Sequence, residues 1–593
     1  MCGICGELRF DGQAPDITAL NRMTDKLARR GPDGSGQYIS GPVAFGHRRL
    51  AVIDLSERSA QPMVDSTLNL VLVFNGTIYN YLQLREQLRA RGYSFFSDGD
   101  SEVILKAWAE WGEDCPRYLQ GMFAFAIWDI RKQRLFLVRD RLGIKPLYYS
   151  ITPGGVRFAS TSQALLAAGD VDDSIDPVAL HHHLSLHAVV PAPRTLLRGL
   201  RKLRPGYSLA FSVHGQRELQ RYWQLQAANC HEKMTEWEWI EATHEVLKRA
   251  VEKRLEIADV PVGILLSGGL DSSLLVALLA EAGSSNMMTF SVGFEDQPEE
   301  KGHEFEYSDL VADLYGTRHQ RFIIPNQEVL ARLPEAVDNM AEPMVGQDAV
   351  AFYLLGERVS REVKVVQSGQ GADEVFGGYF WYPQMQAAAG SDIDRFRPLY
   401  FDRSHEELEQ TVSPAYHGPD YTTARVTQGL SEIGAERFLN RVLGYDVTTL
   451  IVDDPVKRVD NMTMAWGLEA RVPFLDQELV ELVACMPPEV KLGSGGKHPL
   501  KVIARDLLPE VVVDRPKGYF PVPSLKFVRG EVLEFMREVL DSRACRERGL
   551  FQRPYVEKLL DNPERAHTPI MGNKLWHLAL LEFWLQRNTG KPT

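Results

Sequence analysis

Cys2 is the first residue of this chain that could do chemistry, because it stands beside the terminus in Met1-Cys2-Gly3-Ile4-Cys5. Its small side chain allows Met1 to be cleaved, which would leave a thiol and a free α-amine on one residue. An amine with a pKa of about 8 can accept the thiol proton, directly or through one water, without a histidine. The alternatives are half of a zinc site, a redox pair or two buried thiols. Zinc is disfavoured because no second close pair of cysteines follows.

A second reactive segment follows a short apolar run, residues 263–266, and reads Ser267-Gly268-Gly269-Leu270-Asp271-Ser272-Ser273. The pattern predicts a buried strand that enters a turn at the start of a helix. Glycines let backbone N–H groups converge on an anion, the helix N-terminus adds partial positive charge, and serines donate hydroxyls. The turn therefore predicts a phosphate site, with a simple helix cap as the alternative. It lacks the lysine of the GxxxxGK[ST] loop, so it is not typical of γ-phosphate transfer.

A third segment, residues 365–379, repeats the step from strand to loop and contains Asp373 and Glu374. Carboxylates beside a triphosphate ordinarily need magnesium between them. We therefore expect Mg²⁺ as a cofactor with Asp271 and Asp373 as its ligands, and helix capping is the alternative role for both residues.

Two kinds of local pattern must position these segments. Residues 1–210 contain short apolar or alternating runs and two amphipathic helical patterns, at 81–91 and 101–111, which predicts helical layers packed on sheets. From about residue 237, long helical patterns alternate with buried strands, which is typical of a parallel α/β sheet. The polar stretch 224–236 is expected to be a linker.

The composition, the net charge and the length of the apolar runs exclude several classes of protein. Hydrophobic residues make up 44% and charged residues 24% of the 593 residues, as in an ordinary soluble globular protein. A net charge of −13 offers no basic field to nucleic acid or anionic lipid. No apolar run approaches the roughly 20 residues that span a bilayer, and no secretory pattern opens the chain, so we expect a cytoplasmic location. The six cysteines are expected to remain thiols.

The first half also carries an ordered series of motifs. They are Cys2-Gly3-Ile4, Arg30-Gly31-Pro32-Asp33, His47-Arg48-Arg49-Leu50, Gln61-Pro62-Met63, Asn75-Gly76-Thr77-Ile78-Tyr79-Asn80, Asp100-Ser101-Glu102 and Arg139-Asp140-Arg141-Leu142-Gly143. The series resembles the class II glutamine amidotransferases, which are N-terminal nucleophile hydrolases. The resemblance implies that Cys2 is the nucleophile and that Asn75 and the Gly76 N–H form the oxyanion hole. It also implies that Arg49, Asn75 and Asp100 bind glutamine, since a guanidinium fits its carboxylate and an anion fits its ammonium.

The second half resembles the ATP pyrophosphatases through its Ser-Gly-Gly-x-Asp-Ser loop. With residues 365–379 and the block Met464-Ala465-Trp466-Gly467-Leu468-Glu469-Ala470-Arg471-Val472-Pro473-Phe474-Leu475-Asp476, the whole chain resembles the glutamine-hydrolysing asparagine synthetase family. The resemblance assigns ATP contacts to Leu266, Ser267, Gly268, Gly269, Asp271, Ser272, Val292, Ser368, Gly369 and Lys501. Lys501 is the expected partner of pyrophosphate, and Arg515-Pro516-Lys517-Gly518 is a second basic segment.

The implied fold is an α+β N-terminal nucleophile hydrolase sandwich (αββα) over residues 1–215, followed by an α/β parallel-sheet ATP pyrophosphatase domain over residues 236–593. The implied enzyme uses ATP to adenylate a carboxylate, releases pyrophosphate and AMP, and amidates the acyl group with ammonia from glutamine. Its partners would be small-molecule substrates, neither nucleic acid nor membrane, and a homodimer is left open as its assembly. A glutamine or nucleotide sensor is the non-enzymatic alternative, which two complete sites disfavour.

Four positions depart from the family pattern: Arg29 replaces a histidine, Thr77 and Gln370 each replace a glutamate, and Gly99 precedes Asp100. A neutral amide cannot take a proton from incoming ammonia, so Gln370 makes N-acetylglutaminylglutamine, an osmolyte precursor, a rival acceptor to aspartate. The segment His181-His182-His183-Leu184-Ser185-Leu186-His187 also resembles the relatives thought to amidate that dipeptide. Consecutive histidines point around a helix, so this segment is expected to be polar surface rather than a metal site.

Overall fold

The computed structural model of the protein describes residues 1–227, 234–296, 301–515, 522, 525 and 527–590. Its strands form two antiparallel sheets and one parallel sheet. The strands are β1 (Cys2–Arg9), β2 (Gly34–Ser40), β3 (Val43–Arg49), β4 (Met63–Asp65), β5 (Leu70–Ile78), β6 (Gly121–Asp129), β7 (Arg134–Arg139), β8 (Tyr148–Thr152), β9 (Gly155–Ala159), β10 (Arg201–Lys202), β11 (Tyr207–Ser212), β12 (Arg217–Arg221), β13 (Val262–Leu265), β14 (Met288–Phe294), β15 (Arg318–Ile324), β16 (Val365–Gln367) and β17 (Glu469–Arg471).

The α-helices supply the layers outside the sheets and most of the second half. They are α1 (Ile17–Lys26), α2 (Tyr81–Ala90), α3 (Asp100–Trp111), α4 (Cys115–Tyr118), α5 (Ser162–Ala168), α6 (Pro177–Ser185), α7 (Glu236–Glu256), α8 (Leu270–Glu281), α9 (Phe305–Leu314), α10 (Asn326–Asp338), α11 (Asp348–Val359), α12 (Ala372–Phe376), α13 (Trp381–Ala387), α14 (Asp392–Tyr400), α15 (His405–Thr411), α16 (Tyr421–Glu432), α17 (Phe438–Tyr445), α18 (Ile451–Asp453), α19 (Pro455–Met464), α20 (Gln477–Cys485), α21 (Pro488–Leu492), α22 (His498–Arg505), α23 (Glu510–Val513), α24 (Gly530–Asp541), α25 (Arg543–Arg548), α26 (Arg553–Asp561) and α27 (Lys574–Asn588).

The first half is a four-layer αββα sandwich. One sheet has the strand order β10-β8-β9-β1-β3-β2 and the other has β12-β11-β7-β6-β5-β4. Because successive strand side chains point to opposite faces, Ile4 of β1 and Val73 of β5 meet in a buried cluster between the sheets. Their neighbours face outward, where Cys5 packs among residues of α1 and Phe74 among residues of α3. The predicted α+β nucleophile-hydrolase sandwich is confirmed.

The second half is built on a parallel sheet with the order β15-β14-β13-β16-β17. In the register of its central strand β13, Ile264 lies beside Thr289 of β14 and Gln367 of β16. The loops that leave β13 and β16 therefore emerge side by side at the carboxyl edge of the sheet, which is where open parallel sheets bind ligands. The predicted parallel α/β architecture is confirmed.

Two single-segment expectations are wrong, and a third falls partly outside the described residues. The histidines His181, His182 and His183 are at most 3% exposed, so the prediction of a polar surface is wrong. Cys485 takes part in a disulfide bond, which contradicts the expectation that all the cysteines remain thiols. Within the expected linker, residues 228–233 lie outside the described residues, and Glu236 already begins α7. No helix in the described part of the chain is long and apolar enough to cross a bilayer.

Candidate active sites

Cys2 is the first residue of β1 and is 7% exposed. The pairing of β1 with β3 places Cys2 opposite Arg49, and the Cys2 N–H donates a hydrogen bond to Asn75 Oδ1 on β5 over 2.9 Å. Burial raises the pKa of the Cys2 thiol, although the terminal amine and a hydrogen bond with the Leu50 backbone oppose that shift. The thiol therefore needs a base before it can act as a nucleophile.

Asn75 and Gly76 lie beside Cys2 and have the features of an oxyanion hole. Asn75 is fully buried, and its Nδ2 has no hydrogen-bond partner among the described residues. A buried donor left unpaired costs about 1–3 kcal/mol, so a ligand oxygen that accepts from it is favoured. Gly76 leaves no room for a side chain, because a Cβ would lie 2.2 Å from the Met122 carbonyl oxygen and 2.7 Å from Phe123 Cα.

Two of the predicted glutamine ligands, Arg49 and Asp100, line one cavity together with Cys2 and Gly76. The third, Asn75, directly precedes Gly76 on β5. Arg49 is oriented by backbone carbonyls, since its Nη1 donates to Ser56 O over 2.9 Å and its Nη2 donates to Asp54 O. Asp100 begins α3 and is 6% exposed. Burial raises the pKa of Asp100 to about 6, although the Ile78 N–H, 3.1 Å away, opposes that shift. The cavity thus offers a cation and an acid for the two charged ends of glutamine.

One residue of the second half reaches the same site. Glu469 of β17 is fully buried and accepts hydrogen bonds from the Met1 ammonium at 2.9 Å, from Thr77 Oγ1 at 3.2 Å and from Arg471 Nε at 2.7 Å. Burial would raise the pKa of Glu469, but the terminal ammonium, Arg471 and Lys145 lower it to about 2. An anion from one half is therefore fixed at the terminal amine of the other half.

The turn between β13 and α8 brings hydroxyls and backbone N–H groups to one place. The Ser267 and Ser272 hydroxyl oxygens lie 3.0 Å apart, and the Gly269 N–H donates to Ser267 Oγ over 3.3 Å. Gly268 has a φ of 75°, and a Cβ there would lie 2.6 Å from the Ser308 nitrogen. The glycine is therefore required by both its backbone conformation and its close neighbour.

The loop after β16 packs directly against this turn. A Cβ on Gly369 would lie 3.1 Å from Asp271 Cβ and 3.2 Å from the Ser272 nitrogen, and Ser368 N–H donates to Arg471 O over 2.8 Å. Val292 lies on the neighbouring strand β14. Leu266, also assigned to ATP, is buried, and its N–H donates to Phe290 O. The structure thus gathers most of the assigned positions at the carboxyl edge of the sheet, and their contacts with ATP stay a prediction.

Lys497 joins the two carboxylates assigned to magnesium. Its Nζ lies 2.6 Å from Asp271 Oδ2 and 2.8 Å from Asp373 Oδ1. Burial would lower the pKa of Lys497, but the two carboxylates raise it above its usual range. By contrast, the Nζ of Lys501 donates to Ser494 O over 2.6 Å. The role of Lys501 stays a prediction, and Lys497 is the lysine that contacts the acidic pair.

The same geometry tests whether these residues fit a magnesium ion. The carboxylate oxygens of Asp271 and Asp373 converge on one cation, the Lys497 ammonium, at distances of 2.6 and 2.8 Å. Hard oxygen ligands that converge on one point suit Mg²⁺, which takes one or two carboxylates together with substrate phosphates. As a donor set the two carboxylates fit the ion, although the Lys497 ammonium occupies the point between these two oxygens in this structure.

Arg515 contacts the turn between β13 and α8, which is the predicted phosphate site. Its Nη1 donates to Gly268 O over 3.0 Å and its Nη2 pairs with Glu304 at 2.5 Å. The remaining residues of that basic segment, Pro516, Lys517 and Gly518, lie outside the described residues.

Buried charges also join the halves between the two sites. Asp460 of α19 is 3% exposed and pairs with Arg30 at 2.9 Å and with Lys145 at 3.1 Å. The Arg30 Nε also donates to the Cys2 carbonyl oxygen over 3.4 Å. Sequence reasoning missed Asp460, Glu469 and Lys497 as functional residues. Glu469 lies inside the Met464–Asp476 block that resembles the asparagine synthetases, but no spacing in the sequence pairs any of the three residues with its partners.

A buried cysteine on an αββα sandwich and a phosphate-type turn on a parallel sheet define a two-site amidotransferase. The family model for the glutamine amidotransferase domain matches residues 1–223, and the model for asparagine synthase matches residues 242–586. The chain belongs to the asparagine synthase family and has the glutamine-hydrolysing architecture, as the motif series predicts.

Curated relatives match over almost their full length. The Bacillus subtilis (strain 168) proteins named asparagine synthetase [glutamine-hydrolyzing] 1 and 3 are 31% and 30% identical to this chain. The first match covers 100% of this chain and 97% of the relative, and the second covers 99% and 98%. A Mycobacterium bovis protein named putative asparagine synthetase [glutamine-hydrolyzing] is 32% identical, over 96% of this chain and 94% of its own length.

Proposed function

We propose that the chain transfers the amide nitrogen of glutamine to a carboxylate that it activates with ATP. One observation carries the proposal, namely that the three-residue strand β17 touches both sites. The Glu469 carboxylate accepts from Thr77 Oγ1 in the cavity of Cys2, a contact that does not depend on Met1, and the Arg471 carbonyl accepts from the Ser368 N–H in the loop that packs against the turn between β13 and α8. A single short element therefore spaces and orients the two reactive centres.

In the glutaminase reaction, the Cys2 thiol attacks the side-chain amide carbon of glutamine. After Met1 is removed, the Cys2 nitrogen becomes the α-amine, and Asn75 Oδ1, 2.9 Å away, orients it. The amine takes the thiol proton and gives it to the departing nitrogen, which leaves as ammonia. The oxyanion accepts from Asn75 Nδ2 and the Gly76 N–H, and water then hydrolyses the thioester to glutamate.

In the synthetase reaction, an acceptor carboxylate oxygen attacks the α-phosphorus of ATP and pyrophosphate leaves. The turn N–H groups and the hydroxyls of Ser267 and Ser272 bind the phosphates. Asp271 and Asp373 would hold Mg²⁺, which neutralises phosphate charge when it is bound. Lys497 then supplies a further positive charge for the departing pyrophosphate. Ammonia attacks the acyl carbon of the adenylate, the amide forms and AMP leaves.

Ammonia would pass between the sites along β17. Glu469, Arg471 and Asp460 are at most 3% exposed, so ammonia that moved along these residues would be shielded from solvent. Enclosure matters because ammonia that reaches water is protonated and loses its nucleophilic lone pair.

The decisive experiment incubates the pure chain with ATP, Mg²⁺, glutamine and candidate acids, and measures AMP, pyrophosphate, glutamate and amide by mass spectrometry. We expect equal amounts of AMP and amide, with aspartate as the first acceptor to test. Absence of AMP formation with every acid, together with intact glutamine and ATP binding, would instead support a sensor.

A second acceptor, N-acetylglutaminylglutamine, is supported by Gln370. This residue is half-buried in the loop after β16, where the family pattern has a glutamate. A neutral amide there removes one negative charge from the acceptor side and cannot take a proton from ammonia. Comparing kcat/KM for aspartate and for the dipeptide, in the wild type and in Gln370→Glu, distinguishes the acceptors. A dipeptide enzyme should favour the dipeptide in the wild type.

A further inference from the structure

A compact cluster of two histidines and one aspartate lies outside the motifs of both active sites. His187 follows α6, Asp402 lies between α14 and α15, and His577 belongs to the last helix, α27. Asp402 and His577 are 1% and 2% exposed, and the His187 side chain is 16% exposed. One candidate ligand atom from each residue lies within 4.8 Å of the other two. Three segments that are far apart in sequence therefore converge on one buried point.

The distances within this cluster suit a shared ion better than direct hydrogen bonds. His187 Nδ1 lies 3.5 Å and His577 Nδ1 lies 3.3 Å from the same oxygen, Asp402 Oδ2. A good N–H···O hydrogen bond spans about 2.7–3.2 Å. Ligands bound at about 2.0–2.2 Å in a tetrahedral zinc site lie roughly 3.3–3.6 Å from one another. The observed separations fall in the second range.

Several polar atoms of the cluster also lack partners. Among the described residues, His187 Nδ1, His577 Nε2 and Asp402 Oδ1 are buried without a hydrogen bond. Buried polar atoms are rarely left in this state, since each costs about 1–3 kcal/mol. His577 can offer only one ring nitrogen to an ion, and Nδ1 is the one that lies near Asp402 Oδ2. The orphan atoms that a common ion would satisfy are therefore His187 Nδ1 and Asp402 Oδ1.

The backbone around the cluster is shaped to accommodate the two rings. His187 has a φ of 52°, in the left-handed region that histidine adopts more readily than most non-glycine residues, and its N–H donates to Asp402 Oδ2 over 3.1 Å. Gly572 covers the rings, because a Cβ there would lie 2.7 Å from His577 Nε2 and 2.9 Å from His187 Cε1. The left-handed turn at His187 and the absence of a side chain at Gly572 allow the two imidazoles to approach each other, with ring centroids 5.1 Å apart.

The charges nearby leave Asp402 as the main anion of the cluster. Arg403 directs Nη1 to Leu184 O at 2.9 Å and Nη2 to Lys574 O at 3.1 Å, so these nitrogens are held by backbone carbonyls. Asp454 adds negative charge and Arg458 adds positive charge within electrostatic reach of His187.

We propose that His187, Asp402 and His577 bind one Zn²⁺ ion that fastens the end of α6, the loop before α15 and the final helix to one another. Two imidazoles and one carboxylate match the ligand preference of zinc, whereas Mg²⁺ and Ca²⁺ prefer oxygen ligands throughout. A water molecule completes the tetrahedron. The site stabilises the fold and takes no part in amide transfer.

The test uses the full chain, treated with EDTA and then exchanged into buffer with excess Mg²⁺ so that the acidic pair near Lys497 is saturated. Zn²⁺ is titrated by calorimetry into the wild type, His187→Gln, His577→Gln and the matched control His182→Gln. His182 is a buried histidine of α6 that bonds Thr422 instead of the cluster. We expect one zinc equivalent in the wild type and the control, and at least tenfold weaker binding in the two cluster variants.

Thermal unfolding and a spectroscopic probe complete the test. Zn²⁺ should raise the Tm of the wild type by several degrees and leave the Tm of His577→Gln unchanged. Co²⁺ bound to the wild type should give the visible bands of a tetrahedral site without a thiolate charge-transfer band, a result that does not depend on any variant folding. Equal zinc binding by the wild type and both cluster variants, or no zinc binding and no Co²⁺ bands in the wild type, overturns the proposal.

Discussion

The hydroxyl of Thr77 donates a hydrogen bond to Glu469 Oε1 over 3.2 Å, although the two residues are 392 positions apart. Thr77 is one of the departures from the family pattern, which has a glutamate there. A neutral donor at this place satisfies part of a buried carboxylate that also accepts from the Met1 ammonium and from Arg471. The hydrogen bond therefore belongs to the contact between the two halves of the enzyme.

Replacing Thr77 by valine tests this contact while keeping the shape of the side chain. A hydrogen bond to a charged group contributes about 1.5–3 kcal/mol, so Thr77→Val should lower the free energy of unfolding by that amount in urea titrations. Thr427→Val is the control, because its hydroxyl bonds within an exposed stretch of α16 and its loss should cost under about 0.5 kcal/mol. Equal effects of the two variants would contradict the role given to Thr77.

Cys2→Ala should abolish the use of glutamine and spare amide formation from added ammonia. We expect the glutamine-dependent rate to fall by at least roughly 10³-fold, because the nucleophile is removed, while ATP cleavage with ammonia stays within about twofold. Cys5→Ala is a matched control, since Cys5 is a buried thiol on the same strand that bonds Thr24. Burial raises the pKa of Cys5 to about 12, which keeps it as a thiol. Retained glutamine use in Cys2→Ala would refute the nucleophile assignment.

The pH dependence of glutamine binding should report on Asp100. Its pKa is raised to about 6, first by burial, so the carboxyl group takes up a proton as the pH falls through that value. A neutral acid no longer attracts the substrate ammonium, and KM for glutamine should rise about tenfold for each pH unit below 6. Asp100→Asn should bind glutamine weakly at every pH and show no such rise. A wild-type KM that is flat from pH 5 to 8 would exclude this role.

The site residues that could be predicted from the sequence are those whose neighbouring residues already indicate their role. Cys2 at the terminus, the glycines beside a strand and the serine-rich turn can each be recognised from the local sequence. The structure places Cys2 beside Asn75 and the turn at the end of β13 in the parallel sheet, and their chemical roles stay predictions. The pairing of Thr77 with Glu469 could not be predicted, because a single sequence contains no signal that joins positions in different halves. The cluster of His187 with Asp402 and His577 could not be predicted for the same reason, since the three residues come from distant segments.

The sequence does not show which of the two lysines, Lys497 or Lys501, contacts the carboxylates Asp271 and Asp373. The two lysines are one helical turn apart, so a sequence motif that finds this region does not distinguish them. What distinguishes them is the left-handed backbone of Lys497, with a φ of 54°, which precedes α22 and turns its side chain toward the acidic pair. A left-handed backbone is unusual for lysine, and the propensities of the local residues do not predict it.

Asp460 should be needed for stability, because it neutralises two buried cations. Asp460→Asn leaves Arg30 and Lys145 without their anion, and breaking a buried pair in this way costs about 3–5 kcal/mol. The exposed pair of Glu86 and Arg89 is the control, and Glu86→Gln should cost less than about 1 kcal/mol. Urea titration of each variant gives the difference.

The same residue predicts the direction of a pH effect on stability. Burial would raise the pKa of Asp460, but Arg30 and Lys145 lower it below its ordinary value. A carboxyl group whose pKa is depressed in the folded state adds stability above its unfolded pKa of about 4 and loses it as the pH falls further. The difference in unfolding free energy between wild type and Asp460→Asn should therefore shrink below about pH 4. A difference that is constant from pH 7 to 3 would contradict the assignment.

Lys497→Gln should damage ATP cleavage more than Lys501→Gln does. Lys497 contacts both carboxylates at the phosphate turn, whereas the Lys501 ammonium is held by a backbone carbonyl. Loss of a positive charge that meets the departing pyrophosphate should lower kcat for AMP formation by about 10²–10³-fold, and Lys501→Gln should lower it by less than about tenfold. Glutaminase activity, measured as glutamate release without ATP, should stay unchanged in both variants and serves as the control for folding. A larger loss in Lys501→Gln would return the pyrophosphate role to Lys501 and leave Lys497 as a structural partner of the two aspartates.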